Sequence, residues 1–257
     1  MTAASPPASQ AAATAPPAVA GLAAVAPPVA AALIELPLLR ASGEEQMARD
    51  ARLLDEVTVL TVRRYLWSPA AVSLGKFQPE LRPGARAALA AAGIDVVRRP
   101  SGGRLVLHGE GFEWSFAVAV PPGLLPYGTH AAYRLVRAAM AAALTEAGAR
   151  PDAVRDEPYA RSALCFSSAL RHDLLVAGAK AVAVAQVRHG DRHLVHGSVL
   201  ERRPPAGLVA AIEAAAGEPW RADGLASSGL APDGAALWRR FVIALDAALQ
   251  RVRPSEA

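Results

Sequence analysis

The chain contains little cysteine, little lysine and few aromatic residues, while 61 of its 257 residues are alanine. Its one cysteine, Cys165, excludes an internal disulfide and every metal site built from several thiolates, and we expect no metal ion. A lone thiol is typical of a reducing compartment, so the sequence predicts a cytoplasmic protein. No run of about 18 large apolar residues occurs, which argues against a membrane-spanning helix.

Positive charge is carried almost entirely by arginine. Of the 27 basic residues 25 are arginine, and the 23 acidic residues leave a net charge of +4. No basic run exceeds two residues, so this excess does not predict nucleic-acid binding. It suits an acidic protein partner, whose approach it would steer. The two lysines, Lys76 and Lys180, mark positions where a compact ammonium can be needed.

Residues 1–32 differ in composition from the rest of the chain. They contain 15 alanines, 6 prolines and no charged residue. Proline pairs interrupt the apolar runs and the first arginine is Arg40, which argues against a secretory leader. We therefore predict a disordered Ala/Pro-rich tail over residues 1–32 and one folded domain over residues 33–257.

Helical and strand patterns are interspersed along the predicted domain. Ser42 with Glu45 forms a capping box for a helix that runs to about Glu56. Short turns join several strand patterns, which predicts an α+β domain with a mixed, mostly antiparallel sheet flanked by helices. The other helices are predicted over 83–92, 130–147, 208–216 and 235–252, the strands over 59–67, 70–75, 94–99, 105–108, 114–120, 173–177, 181–188 and 193–200, and the turns at 68–69, 100–103, 178–179 and 189–191.

One candidate for chemistry is the segment 98–104, Arg-Arg-Pro-Ser-Gly-Gly-Arg, which lies between two predicted strands. Paired glycines allow a sharp bend and let a ligand approach the backbone. The flanking arginines can make charge-assisted bonds to a phosphate or a carboxylate. A glycine hairpin with solvated arginines is the alternative interpretation.

Two further candidates lie in the second half of the chain. Cys165 precedes one predicted strand and Lys180 lies at the start of the next, so the two side chains can meet at one end of the sheet. The Lys180 ammonium would then favour the thiolate form of Cys165. A buried, inert cysteine is the alternative. His108 and His196 lie in strand patterns, where each could be catalytic or could be a core histidine bonded to a carbonyl.

Taken in order, these segments resemble the family of lipoate–protein ligases A and octanoyltransferases, which shares its fold with the biotin protein ligases. The resemblance covers roughly residues 35–215 and implies the biotin/lipoate protein ligase catalytic-domain fold. Its strongest parts are the Arg-Arg-x-Ser-Gly-Gly-Arg segment and the succession Lys…Ala-Gln…His-Gly-Ser-x-Leu. The residues that carry it lie at 71–78, 97–108, 165–166, 178–180, 185–186 and 196–200.

The cysteine octanoyltransferase branch is the nearer one, because Cys165-Phe166 stands where that branch places its nucleophile. The short stretch after residue 200 also favours a branch without a second domain. The resemblance implies that an octanoyl or lipoyl group passes from acyl carrier protein through a Cys165 thioester to a lysine of a lipoyl domain, the glycine-cleavage H protein or an E2 subunit. This reaction of protein lipoylation needs no cofactor.

In this scheme Lys180 would stabilise the Cys165 thiolate and the tetrahedral oxyanion. Leu105, Val106 and Leu107 would line an apolar tunnel, while Arg99 and Arg104 would face the acyl carbonyl or the carrier phosphate. The substrate-binding residues implied by the resemblance are Arg99, Ser101, Gly102, Gly103, Arg104, Leu105, Val106, Leu107, His108, Gln186, His196, Gly197 and Ser198.

Two other functions stay open at this point. An ATP-dependent lipoate–protein ligase would use ATP, magnesium and lipoate to form a lipoyl-adenylate, and would share the Lys180 and glycine segments. A catalytically silent module that binds an acyl group or a lipoyl domain is the third, because the chain departs from the family pattern at Val184, usually a serine, and at Gly109, usually an aspartate.

Overall fold

The computed structural model describes residue 1 and residues 33–126, 128, 130–153, 162–230 and 233–252. Except for residue 1, the predicted Ala/Pro-rich tail over residues 1–32 lies outside the described residues, so the division at residue 32 stays a prediction. Among the described residues, no helix combines the length and the apolar character needed to cross a lipid bilayer.

The domain consists of nine strands and five α-helices over the described residues. The strands are β1 (Ile34–Ala41), β2 (Thr61–Trp67), β3 (Ala71–Leu74), β4 (Asp95–Arg98), β5 (Val106–His108), β6 (Glu113–Val120), β7 (Leu174–Val176), β8 (Ala179–His189) and β9 (Arg192–Leu200). The helices are α1 (Gly43–Glu56), α2 (Ala85–Ala91), α3 (His130–Glu146), α4 (Ala206–Ala216) and α5 (Gly234–Val252), with short 3-10 turns at Cys165–Ser167 and Gly224–Ser228.

The strands form a large and a small sheet. The large sheet has the order β1-β2-β6-β9-β8-β7, in which β1 and β2 are parallel and the other neighbours antiparallel. The small sheet has the order β4-β3-β5, with β3 parallel to β4 and antiparallel to β5. The predicted α+β domain with a mixed, mostly antiparallel sheet is confirmed.

Alternation along β6 distributes its side chains between two cores. Phe116 and Val118 face α3 and α5. The ring centroid of Phe241 in α5 lies 5.4 Å from that of Phe116. Ala117 and Ala119 face the opposite side, together with Met47 of α1. Helices α2 and α4 cover the small sheet with a third cluster. Each large apolar side chain buried in this way contributes about 1.5–3 kcal/mol, and the space between the two sheets is left for the candidate site.

Local sequence signals predicted these elements closely. Every predicted helix and strand is present, with both ends within two residues of the observed ones. The side chain of Ser42 accepts from the backbone N–H of Glu45 at 3.3 Å, as the capping box requires. The turn predicted at 178–179 is wrong by one residue: Ala177 and Gly178 form it, with φ values of 51° and 78°, and Ala179 already belongs to β8.

Strand β1 was not predicted. Its sequence contains Pro37, and the register with β2 shifts between Leu36 and Leu39. Proline cannot donate a ladder hydrogen bond, so it is confined to edge strands and bulges, and β1 has both features. Its pairing with β2 brings together segments on either side of α1, a contact that local pattern does not reveal.

Candidate active site

A pocket with a mostly apolar lining lies between the two sheets and the loop that carries Cys165. Strands β8 and β9 contribute Lys180, Ala183 and His196, and β5 of the small sheet contributes Val106 and His108. The site therefore depends on how the two sheets meet rather than on any one element.

Strand alternation divides the segment 105–108 between two environments. Val106 and His108 line the pocket, whereas Leu105 and Leu107 are not among its lining residues and belong to the core beneath α2 and α4. The expectation that all three apolar residues line a tunnel is wrong for Leu105 and Leu107, because successive side chains of a strand point to opposite faces.

Cys165 begins the 3-10 turn beside the glycine segment. Its backbone N–H donates to the carbonyl of Leu105 at 2.8 Å, and its Sγ lies 3.4 Å from Nζ of Lys180. Cys165 is half-buried and Lys180 is buried. The predicted meeting of these two side chains is confirmed, while their catalytic roles stay a prediction.

Three oxygen atoms hold the Lys180 ammonium in place. Its Nζ donates to the carbonyls of Cys165 at 2.8 Å and Ser168 at 3.1 Å, and lies 2.7 Å from Oδ2 of Asp173. Burial by itself lowers the pKa of Lys180, but the negative charges of Cys165 and Asp173, with their hydrogen bonds, outweigh it and raise the pKa above its ordinary value. Lys180 is therefore a charged donor near neutral pH, in a position to stabilise negative charge on Sγ.

Asp173 was not predicted as a site residue. Its Oδ2 accepts from the backbone N–H of Leu170 at 2.8 Å and its Oδ1 from that of Val184 at 3.2 Å, in addition to the contact with Lys180. A sequence signal existed, since Asp173 is the one acidic residue between Cys165 and Lys180. A buried lysine needs a counter-charge, and this was the nearest candidate.

The glycine segment folds tightly against the end of β3. A Cβ on Gly75 would lie 2.0 Å from the carbonyl oxygen of Gly103, whose φ is 99°. The Arg99 guanidinium clamps the turn by donating to the carbonyls of Ser73, Gly102 and Arg104 at 2.7–2.9 Å. Gly75 is thus required by close backbone approach and Gly103 by its positive φ, whereas a Cβ on Gly102 would meet only Phe77 at 3.9 Å.

The arginines of this segment are buried rather than solvated. Arg99 and Arg104 are each 6% exposed and line the pocket, and Arg104 donates to the Ser168 hydroxyl in the loop after Cys165. The alternative of solvated arginines is wrong for these two. Their burial also argues against contact with a carrier phosphate outside the pocket, so contact with the acyl carbonyl is the prediction that stays.

His196 belongs to a buried chain of hydrogen bonds. Its Nδ1 lies 2.8 Å from Oδ2 of Asp50, and its Nε2 lies 2.5 Å from the hydroxyl of Ser101. Nδ1 faces a carboxylate and therefore carries a proton. Asp50 is further paired with Arg63 of β2 at 2.7 Å. The chain anchors the glycine segment to β9 and α1.

His108 is bonded in the same manner on the other side of the pocket. Its Nδ1 lies 3.1 Å from Glu113 and its Nε2 lies 2.8 Å from the hydroxyl of Ser73. Burial lowers the pKa of His108, and Arg99 and His196 add to this, against the opposite influence of Glu113. Glu113 also accepts from the Ser198 hydroxyl at 2.7 Å. Both histidines line the pocket with their ring nitrogens already partnered, and neither Asp50 nor Glu113 was predicted from the sequence.

Only some of the remaining predicted residues line the pocket. Gly103, Gly197 and Ser198 line it, while Ser101, Gly102 and Gln186 do not. The Gln186 amide lies 3.1 Å from Nδ1 of His193 instead. Its Oε1 is buried without a hydrogen-bond partner among the described residues, so the substrate contact expected for Gln186 stays a prediction.

These features define a class of protein: an α+β domain with a thiol–ammonium pair at an apolar pocket. A family model described as the lipoyl protein ligase A/B catalytic domain matches residues 42–214. The chain belongs to this family, which confirms the resemblance inferred from its motifs.

Among proteins of similar sequence are octanoyltransferases LipM. The one from Symbiobacterium thermophilum is 36% identical over 147 residues, which is 54% of this chain and 53% of the relative. The one from an Exiguobacterium species is 37% identical over 147 residues, with the same two shares. The chain thus matches about half the length of these curated relatives.

Solved structures share the fold at lower identity. The Thermoplasma acidophilum protein Ta0514 with bound lipoic acid superposes with a TM-score of 0.68 at 16% identity, over 85% of each chain. A lipoate-protein ligase A bound with ATP gives 0.67 at 17%, over 85% of each chain. A bi-partite lipoate protein ligase from T. acidophilum, reported with its E2 lipoyl domain, gives 0.62 at 17%, over 84% of each chain. At these identities the likeness shows the fold alone.

Proposed function

We propose that this protein is an acyltransferase that moves an octanoyl or lipoyl group from acyl carrier protein to a lysine of a lipoyl domain, through a thioester on Cys165. The observation that carries the proposal is the 3.4 Å contact between Cys165 Sγ and Lys180 Nζ at an apolar pocket. The similarity to octanoyltransferases LipM supports the choice of acyl group.

In the first half-reaction the Cys165 thiolate attacks the carbonyl carbon of the donor thioester. A bond forms between Sγ and that carbon, the carbon–sulfur bond of the donor breaks, and the electron pair leaves on the donor sulfur. One thioester replaces another, so the step needs no ATP and no other cofactor. Lys180 stabilises the thiolate beforehand and the oxyanion during the step.

In the second half-reaction the neutral amine of the acceptor lysine attacks the thioester carbon. A carbon–nitrogen bond forms, the bond to Sγ breaks with its electron pair returning to sulfur, and the amine releases one proton to solvent. We propose a lipoyl domain of an H protein or an E2 subunit as acceptor, in keeping with the structural relative that is paired with an E2 lipoyl domain. The net charge of +4 suits an acidic partner.

Intact-protein mass spectrometry tests this function. Incubation with octanoyl acyl carrier protein, without ATP, is expected to add one octanoyl group to the wild type and none to Cys165→Ser. Ser167→Ala is the matched control, because it removes a hydroxyl from the same 3-10 turn without touching the pocket. This control is expected to acylate like the wild type.

Other outcomes would assign other functions. An acyl-adenylate formed only when ATP, magnesium and free octanoate or lipoate are supplied would identify a ligase, with Cys165→Ser still active. If folded protein forms neither an acyl adduct nor an acyl-adenylate, the protein is a silent binding module.

A further inference from the structure

We propose that Asp173 is a positioning residue that keeps Lys180 a charged donor in the acyl-enzyme, the stage at which the cysteine carries no charge. This inference rests on the proposed function, because it concerns the state in which Cys165 bears an acyl group. It predicts that Asp173 matters more for the second half-reaction than for the first.

The hydrogen-bond count at Lys180 is the first step of the argument. An ammonium has three hydrogens, and three oxygen atoms surround Nζ: the carbonyls of Cys165 and Ser168 and Oδ2 of Asp173. The Sγ of Cys165 is a fourth and longer contact, at 3.4 Å. The two carbonyls are neutral, so they orient the ammonium without balancing its charge. Of these three oxygen acceptors, only Asp173 both orients the ammonium and balances its charge.

The charge balance is the second step. Before acylation the proposed mechanism gives Lys180 two anionic neighbours, a Cys165 thiolate at 3.4 Å and the Asp173 carboxylate at 2.7 Å. A thioester on Cys165 has no charge, so acylation removes one of them. Among the described residues Asp173 is then the one carboxylate in contact with Lys180. The other titratable or charged side chains that line the pocket are Tyr65, Arg99, Arg104, His108 and His196, and none supplies a negative charge near neutral pH.

Burial makes the remaining counter-charge decisive. The side chains of Lys180 and Asp173 are each 4% exposed. A buried ammonium without a partner loses its proton, because desolvation disfavours the charged form. A neutral Lys180 would be a poor stabiliser of the oxyanion that forms when the acceptor amine attacks. Asp173 itself is held in place by the N–H groups of Leu170 and Val184.

The variant Asp173→Asn separates the two stages. In the free enzyme the Cys165 thiolate can replace Asp173 as the counter-charge, so the thiol is expected to stay reactive. In the acyl-enzyme nothing replaces it, so the breakdown of the thioester is expected to slow about tenfold to hundredfold. The rate of thioester breakdown is also expected to fall with increasing pH, and to do so at a pH well below 10, because Lys180 loses its proton there.

Two measurements read out the stages independently. Alkylation by iodoacetamide followed over pH reports the Cys165 thiolate alone, because the chain has one cysteine. Cleavage of the pre-formed octanoyl-enzyme by hydroxylamine, corrected for the ionisation of hydroxylamine, reports the second stage. Asp173→Glu, which keeps the charge, is expected to restore part of the cleavage rate.

Asp152→Asn is the matched control. The Asp152 carboxylate accepts from the N–H of Gly178 in the turn between β7 and β8, so its loss affects the same hairpin away from Lys180. Both rates are expected to match the wild type in this variant.

Defined outcomes would overturn the inference. Equal loss of alkylation and cleavage in folded Asp173→Asn would show that Asp173 activates the thiol or supports the structure only. Cleavage at the wild-type rate over the whole pH range would show that Lys180 needs no counter-charge. If Asp173→Asn does not fold, the wild-type octanoyl-enzyme decides: no decline in cleavage is expected below about pH 10, and a decline near pH 8 would contradict the role. Failure of the proposed function itself would appear separately, as alkylation without octanoyl-enzyme formation.

Discussion

The side chains at the pocket are polar groups that satisfy one another. Lys180 is nearly fully buried, a costly position for an ammonium, yet its pKa is raised because Cys165 and Asp173 outweigh the effect of burial. His108 and His196 each have a partner at both ring nitrogens. A charged lysine beside a half-buried thiol therefore distinguishes the region around Cys165 from the rest of the lining.

Replacing Lys180 tests this distinction at a single side chain. Lys180→Met roughly keeps the length of the side chain and removes its charge. The rate of acyl-enzyme formation from octanoyl acyl carrier protein is therefore expected to fall about 100-fold. Rapid-quench mass spectrometry measures the rate. The chain's other lysine offers the control Lys76→Met, which should acylate normally. An unchanged rate in Lys180→Met would remove the ammonium from the mechanism.

Among the elements, the glycine segment connects the small sheet to the Cys165 loop. It is clamped by Arg99, closed against Gly75 and linked to the loop by Arg104 and Ser168. The backbone N–H and carbonyl of Leu105 bond to Ala163 and Cys165 on that loop. The position of the Cys165 thiol thus depends on close packing between the backbones at Gly75 and Gly103, which leaves no space for a side chain at Gly75.

Gly75→Ala is expected to disrupt this packing. The new Cβ would meet the Gly103 carbonyl at 2.0 Å, which forces a backbone shift and destabilises the fold by about 1–3 kcal/mol. Urea unfolding measures the free energy, and acylation should decline with it. Gly207→Ala in α4, where a Cβ meets nothing within 4 Å, is the control and should be neutral or slightly stabilising. Equal stability of the two variants would mean that the segment has room to move.

Over the whole molecule, a buried chain of charges joins parts that are distant in sequence. Asp50 of α1 pairs with Arg63 of β2 and His196 of β9, and His196 continues to Ser101 of the glycine segment. Burial by itself would raise the pKa of Asp50, but the charges and hydrogen bonds of Arg63 and His196 outweigh it, so the pKa lies below its ordinary value. Asp50 thereby couples the helix, the large sheet and the site.

The variant Asp50→Asn is expected to lower the free energy of unfolding by about 3–5 kcal/mol at neutral pH, because Arg63 is left buried without its counter-charge. A lowered pKa adds stability above the unfolded-state value of about 3.9, and that stability is lost as pH falls through the folded-state pKa. The difference between wild type and variant should therefore narrow below about pH 4.

Urea unfolding at several pH values measures this difference. Asp55 lies on the same helix as Asp50, and its exposed carboxylate contacts His189 of β8 at 2.8 Å. The variant Asp55→Asn should therefore differ little from the wild type at any pH. A gap between wild type and Asp50→Asn that stays constant down to pH 2 would contradict the assigned role of the carboxylate.

Prediction of the site from sequence succeeded for groups with a distinctive residue type. One cysteine and a rare lysine stood out from an alanine-rich and arginine-rich background, and the contact between them is present. Prediction failed where chemistry depends on the direction of a side chain: Leu105 and Leu107 are buried in the core beneath α2 and α4 and do not line the pocket. A strand assignment gives the alternation of faces but not which face meets the ligand.

Local sequence was sufficient for the helices, for eight of the nine described strands and for the family to which the chain belongs, because caps, turns and apolar periodicity act over a few residues. Contacts between segments distant in sequence decided the rest. They paired β1 with β2 across a bulge at Pro37, and among the described residues they made Asp50, Glu113 and Asp173 the buried carboxylates around the site. The reason is that a buried charge persists only where other segments bring it a partner, and those partners come together only in the folded chain.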